Sequence, residues 1–181
     1  VTSFTVDNYG GACRLVEHLL SHHYRRFAYI RGSDFTSDSA ERLQALHDTL
    51  AAHGLSLAPP YIASGDYLRG SRHRAMTELL ALSPRPDVVF AANDQMASDA
   101  MVAIHEHGLR VPDDIALAGF DDIPLASYLT PTLTTVHQPT YELGYQAAQT
   151  ALSMIKEETP SEPKHVVLPT RLVVRDSCGR H

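Results

Sequence analysis

The sequence contains few cysteines: among its 181 residues only Cys13 and Cys178 occur, near opposite ends of the chain. They show neither the paired spacing of a metal site nor the framework of a disulfide-stapled fold. A reducing compartment fits this usage, so we expect a cytoplasmic protein. Among the eleven histidines, His18 and His22 lie one helical turn apart, but no carboxylate or cysteine stands at ligand spacing beside them. The sequence therefore predicts no metal site.

Long apolar runs and positive charge are also lacking. No run approaches the roughly 20 apolar residues that cross a bilayer, and no basic-then-apolar leader opens the chain. The formal net charge is −6 and the pI near 6.0. Since nucleic-acid-binding domains carry basic surfaces, we expect DNA binding, if the whole protein has it, to lie outside this segment. The abrupt start "VTSFTVDN" suggests a part of a longer chain.

Catalytic motifs are missing as well. The sequence has no G-x-S-x-G elbow, no glycine-rich phosphate loop and no H-E-x-x-H helix. No nucleophile or acid–base pair stands out, so we expect neither an enzyme nor a cofactor.

What the sequence does contain is an alternation of short apolar strands with helical stripes, which predicts βαβ units and a parallel sheet. The predicted strands are 2–6, 26–31, 60–64, 87–92 and 114–120, then one at "TLTTVHQP" and a long final one at "HVVLPTRLVVRDS". Pro169 interrupts the last strand and predicts an edge or a crossing between two sheets. Two helices end in His-Gly, at Gly54 and Gly108, as expected for left-handed C-terminal caps.

Polar residues follow each of the first five predicted strands. In a parallel sheet these carboxyl ends meet along one edge, where ligands bind. The exits are Asp7-Asn8, the loop "GSDFTSDS", Asp66-Tyr67, Asn93-Asp94 and Asp121-Asp122. Arg42, on the first turns of the helix that follows the second strand, could reach the same edge. Some of these residues are expected to cap helices instead. We expect capping by Asp38, Asp94 and Asp122, and ligand contacts from Asp7, Asn93 and Asp121.

Such a set suits a neutral, polyhydroxylated ligand. Carboxylates accept hydrogen bonds from sugar hydroxyls, Arg and Asn donate to them, and a Tyr ring covers the apolar C–H face.

Several segments closely resemble the effector-binding domain of the LacI/GalR family of bacterial transcriptional repressors. They are "VDNYGGA", "HLLSHHYRRFAYIRG", "SAERLQAL", "FAANDQMASDAM", "GLRVPDDIALAGFDDIPLASYLTPTLTTVHQP", "ELGYQAAQ" and "LPTRLVVRDSCG". Together they span nearly the whole chain, and the block from Asn93 to Pro139 is the most specific.

The resemblance implies an α/β, periplasmic-binding-protein-like fold with two Rossmann-like lobes and three crossovers. Residues 1–7 and 138–169 would belong to an incomplete N-terminal lobe, and residues 8–137 and 170–181 to the C-terminal lobe. By the family pattern, the ligand-binding residues are Asp7, Thr36, Asp38, Arg42, Tyr67, Asn93, Asp121 and Gln138. Thr36 replaces the Arg of the purine-binding pattern, which favours a sugar effector.

The resemblance also implies the partners. The whole protein would bind operator DNA as a homodimer, through an upstream helix-turn-helix headpiece that is absent here, under control of the effector. A periplasmic sugar-binding receptor of a transporter has the same fold and is the alternative; an enzyme on this fold is a third, weaker one.

Overall fold

A computed structural model describes residues 2–32, 37–65, 71–156 and 163–179. Its helices are α1 (Asn8–Ser21), α2 (Ser37–Ala52), α3 (Ser71–Leu80), α4 (Asp94–Glu106) and α5 (Thr140–Lys156). Its strands are β1 (Ser3–Val6), β2 (Phe27–Arg31), β3 (Ile62–Ser64), β4 (Val88–Ala91), β5 (Ala116–Ala118), β6 (Thr135–His137), β7 (His165–Leu168) and β8 (Arg171–Val173). Within these ranges no helix is both long and apolar enough to span a bilayer.

The largest sheet is four-stranded and wholly parallel, in the order β3-β2-β4-β5. Strand β6 continues it beyond β5 through isolated parallel bridges, one of them between Asp121 and His137, and pairs with β8 in antiparallel fashion. Strand β4 is buried along its whole length, as expected where helices cover both faces of a parallel sheet. The largest buried side chains are Tyr29, Phe90 and Phe120. The predicted α/β architecture is therefore confirmed.

A separate two-stranded parallel sheet joins β1 to β7, and α5 packs against β1. This layer is thinly covered: Tyr141 and Ile155 on α5 and Val167 on β7 are exposed. It contrasts with the four-stranded sheet, whose apolar side chains are almost all inside.

The predicted long final strand is in fact two strands in two different sheets. Strand β7 pairs with β1, whereas β8 pairs with β6, and Pro169 lies between them. The predicted crossing is confirmed, because a residue without a backbone N–H fits where no ladder continues.

Element boundaries differ modestly from the predictions. The strand predicted at 60–64 begins only at Ile62, because residues Pro59–Tyr61 form a 3₁₀ turn started by proline. The strand predicted at 114–120 shortens to Ala116–Ala118. Both predicted glycine caps are confirmed, with φ of +70° at Gly54 and +72° at Gly108.

Candidate functional site

A cavity of about 190 Å³ lies at the carboxyl ends of β2 and β4. It is lined by Gly32, Asp38, Ser39, Arg42, Ala92, Asn93, Met96, Asp121 and Gln138. Five of these were predicted from the sequence as ligand-binding residues: Asp38, Arg42, Asn93, Asp121 and Gln138. The chain thus brings together side chains from positions 38 to 138, because the carboxyl ends of parallel strands share one edge.

Arg42 is the central residue of the cavity wall and only 5% of it is exposed. Its guanidinium donates to Asn8 Oδ1 from Nε at 3.0 Å and from Nη2 at 2.8 Å, and its Nη1 donates to the Ala92 carbonyl at 2.6 Å. Its carbon Cζ lies 3.7 Å from the centre of the Phe120 ring. Burial lowers the pKa of Arg42, but Asp121 opposes that shift. The charge is therefore held in one fixed position.

Asp121 completes this array on the other side of Arg42. Its Oδ1 lies 3.5 Å from Arg42 Nη1 and accepts a short hydrogen bond from Gln138 Nε2. Burial raises the pKa of Asp121, while Arg42 and then Gln138 lower it. The backbone at Asp121 has a φ of +113°, an uncommon conformation for a residue other than glycine. The hydrogen bond from Gln138, the residue after β6, fixes the position of the Asp121 carboxylate.

Asn93 and Asp38 line the same cavity but also have structural partners. Asn93 caps α4, with its Oδ1 accepting from the Met96 N–H at 2.8 Å. Its NH₂ group is not needed for the cap. Asp38 is the second residue of α2, and it accepts from Asn8 Nδ2 at 3.3 Å. The capping predicted for Asp38 stays a prediction, because the residue before α2 lies outside the described residues.

Two other capping predictions are wrong. Asp94 does not cap a helix. Its carboxylate accepts a hydrogen bond from Thr135 Oγ1 at 2.5 Å and another from the Ile123 N–H at 2.9 Å. Asp94 thereby joins the loop after β5 to β6. Asp122 does not cap the 3₁₀ turn Pro124–Ser127, which has no side-chain cap.

The backbone at Asp122 has a φ of +55°, and the carboxylate points away from the 3₁₀ turn that follows it. The carboxylate binds Arg175 Nη2 at 2.6 Å and His137 Nδ1 at 2.9 Å. Pro124 does begin the 3₁₀ turn, as predicted.

Asp7 stands apart from this cavity. Its Oδ1 accepts from the Gly10 N–H at 2.8 Å, so Asp7 caps α1, and its Oδ2 pairs with Arg14 Nη2 at 3.2 Å. Arg14 Nη2 also donates to the Thr170 carbonyl at 3.0 Å and to its hydroxyl at 2.9 Å. Arg14 therefore clamps the segment after β1 to the segment before β8.

Two predicted ligand residues, Thr36 and Tyr67, fall outside the described residues. Sequence reasoning also missed Asn8, which is buried and fixes Arg42. Its position beside Asp7 at a strand exit was visible, but its pairing depends on the packing of α1 against α2. Ser39 was missed too: its hydroxyl accepts from the Gly32 N–H at 3.0 Å and shapes the cavity floor.

The family profile for the "Periplasmic binding protein-like domain" matches residues 16–178. Relatives that align with almost the whole of this chain are named as transcriptional regulators. The HTH-type transcriptional regulator CelR of Thermobifida fusca is 37% identical over 98% of this chain and 52% of its own length. The HTH-type transcriptional regulator GalR of Escherichia coli is 34% identical over 96% of this chain and 50% of its own length. The chain therefore spans about half the length of these curated relatives.

Solved structures agree with this match. A structure described as a CelR–cellobiose complex superposes with a TM-score of 0.91 at 37% identity, covering 98% of this chain and 54% of the other. A LacI-family sugar-binding regulator of Escherichia coli, in complex with phosphate, superposes with a TM-score of 0.83 at 32% identity, covering 95% of this chain and 61% of the other. The relatives are named as transcriptional regulators, which supports the prediction that the chain is not an enzyme.

Proposed function

Because the chain belongs to the family of periplasmic binding protein-like domains, in the form found in LacI/GalR regulators, we propose that it is the effector-sensing part of a transcriptional regulator. The carrying observation is the Arg42–Asp121–Gln138 array, a fixed cation, a carboxylate and an amide around one cavity. Such groups recognise the hydroxyls of a sugar by charge-assisted hydrogen bonds. The effector is thus a small polyhydroxylated molecule.

The energetics of such a cavity suit a metabolite sensor. Each hydrogen bond to a charged group contributes about 1.5–3 kcal/mol. Three or four of them, less the cost of association, reach a micromolar affinity of about −8 kcal/mol. Asp38, Asn93 and Gln138 add neutral or acidic partners for further hydroxyls. The sequence adds Thr36, Tyr67 and Asp7 to the proposed set, although Asp7 is not part of the cavity lining and has Gly10 and Arg14 as partners.

We assign the β1–β7 layer with α5 to an incomplete N-terminal lobe, residues 1–7 and 138–169. Residues 8–137 and 170–181 form the C-terminal lobe. Gln138 begins the second of these N-terminal segments, yet it donates directly to Asp121 in the cavity. A ligand that takes over Asp121 must compete with that contact and so biases the orientation of the lobes. Coupling of about 1–3 kcal/mol, or 5- to 150-fold in operator affinity, is the usual scale of such a mechanism.

The whole protein is then a cytoplasmic homodimer that binds operator DNA through a helix-turn-helix outside this chain. A transporter's sugar receptor is the second candidate on fold alone. The names of the relatives along the chain favour the regulator.

The test is a thermal-shift and calorimetric screen of sugars on the full-length protein, followed by an operator-binding assay with the sugar that binds. Asp121→Ala should abolish binding of that sugar and its effect on operator affinity, while far-UV circular dichroism stays unchanged. Asp113→Ala, an exposed carboxylate paired with Arg110, is the matched control and should behave as the parent. Normal sugar binding by the Asp121→Ala variant would refute the site. A thermal shift with purines or phosphosugars alone would refute the ligand class.

A further inference from the structure

A second cluster of chemically capable side chains lies far from the cavity, at the end of α1. His18 and His22 face Cys178 of the 3₁₀ turn Asp176–Cys178, and one ligand atom from each lies within 4.8 Å of the others. His18 Nε2 is 3.3 Å from Cys178 Sγ. The rings of His18 and His22 meet edge to face, with centroids 4.8 Å apart. The sequence could not predict this group, because Cys178 follows His22 by 156 positions and no local spacing marks it.

The geometry is near that of a tetrahedral zinc site. With Zn–N about 2.0 Å and Zn–S about 2.3 Å, a tetrahedral angle places N and S about 3.5 Å apart. The separation between His18 Nε2 and Cys178 Sγ already has that value within a few tenths of an ångström. No two of the three ligand atoms are more than 4.8 Å apart, and both histidines are only partly buried, so rotation of their side chains can shorten the remaining separations.

Neighbouring residues contact the Cys178 sulfur and allow close approach to the His22 ring. Thr134, the residue before β6, places its Oγ1 3.0 Å from Cys178 Sγ, and this is the kind of outer contact that orients a metal ligand. Gly179 has a φ of +121°, and a Cβ there would lie 3.2 Å from His22 Nδ1. Glycine therefore allows the end of the chain to approach the His22 ring closely. Cys178 itself is buried while the histidines reach solvent, which gives an ion a path of entry.

We propose that His18, His22 and Cys178 form a binding site for Zn²⁺ with three protein ligands and a water-occupied fourth position. One thiolate with two imidazoles is a donor set that zinc prefers over the hard cations Mg²⁺ and Ca²⁺. The ion would join the end of α1 to the segment that follows β8. This site is independent of the sugar cavity.

The test measures zinc binding by the full-length protein, without an affinity tag and after treatment with a chelator. Calorimetry and elemental analysis give the affinity and stoichiometry for Zn²⁺, and Co²⁺ serves as a spectroscopic probe of sulfur ligation. The parent should show a thiolate-to-cobalt charge-transfer band and a zinc-dependent rise in melting temperature. Cys178→Ser should lose the band, and His22→Asn should show it only at a higher cobalt concentration. They should also weaken zinc binding by more than the 10- to 100-fold that loss of an outer-shell partner costs.

Matched controls stand beside each ligand. His23→Asn changes the exposed histidine next to His22, and Cys13→Ser removes the other thiol; both should bind zinc as the parent does. His22→Asn keeps the outcome decisive even if Cys178→Ser unfolds, because residue 22 is a partly exposed C-terminal cap. A parent without the cobalt band, or a band and zinc affinity unchanged in the His22→Asn variant, would overturn the site. The cluster would then be a hydrogen-bonded contact only.

Discussion

Strands β4 and β5 are neighbours in the sheet and end in similar pairs, Asn93-Asp94 and Asp121-Asp122. In each pair the first residue lines the cavity and the second turns into the protein. The two inward residues nevertheless differ. Asp94 is 1% exposed and held by a hydroxyl and a backbone N–H, whereas Asp122 is held by Arg175 and His137. Adjacent polar residues at a strand end thus divide into ligand recognition and loop anchoring.

The largest expected effect comes from breaking the charged anchor. Asp122→Ala removes the carboxylate that contacts both Arg175 and His137, and such a loss in a mostly buried pair should lower the free energy of unfolding by roughly 3–5 kcal/mol. Asp121→Ala should cost less, because Asp121 lies 3.5 Å from Arg42, whereas Asp122 lies 2.6 Å from Arg175 and also contacts His137. Urea unfolding of both variants gives the two values. Equal losses of stability would contradict the division of roles.

A second difference is that the contribution of Asp94 to stability should depend on pH. Burial raises the pKa of Asp94 to about 7, although hydrogen bonds from Thr135 and Ile123 oppose the shift. In the unfolded chain an Asp has a pKa of about 3.9. Between about pH 4 and about pH 7, Asp94 is therefore protonated in the folded state but ionised in the unfolded chain. This stabilisation is complete below about pH 4 and is lost as the pH rises through about 7.

Asp94→Asn removes this titration. We expect the stability of the parent relative to Asp94→Asn to fall by on the order of 2–4 kcal/mol between about pH 4 and about pH 8. Urea unfolding at a series of pH values measures the difference. Asp99→Asn changes another carboxylate of α4 and is the control for the substitution itself. A pH-independent difference between parent and Asp94→Asn would show that Asp94 is ionised in the folded state.

The smallest expected effect separates the two roles of Asn93. Asn93→Ala loses the cap of α4 and should destabilise the protein by about 1 kcal/mol. Asn93→Ser keeps a capping oxygen and should be nearly as stable as the parent. Both variants lack the amide NH₂ group, so both should bind the sugar more weakly to a similar extent, as measured by calorimetry. Parent-like sugar affinity in Asn93→Ser would remove Asn93 from the ligand site.

How far the sequence predicts this site depends on the kind of information needed. That polar residues at several strand ends meet follows from the parallel sheet, so the convergence of Asn93, Asp121 and Arg42 was predictable. Which way each neighbour points was not. The positive φ values at Asp121 and Asp122 leave no mark in the residue types, and they turn Asp122 toward Arg175.

Long-range packing limits the prediction in another way. Asn8 became a partner of Arg42 only through the contact of α1 with α2, and Cys178 reached His18 only by the return of the chain after β8. Pro169 was the favourable case, because a missing backbone N–H is a local property that limits where a sheet ladder can continue.

The Arg14 clamp has a mechanical consequence. One guanidinium nitrogen holds both the Asp7 carboxylate and Thr170, and the Thr170 hydroxyl donates to the Asp7 carbonyl at 2.9 Å. The strands β1 and β7 leave the small sheet through these two residues. The two exits are therefore fastened to each other, so the two chain segments leave the small sheet as one joint rather than as two separate links.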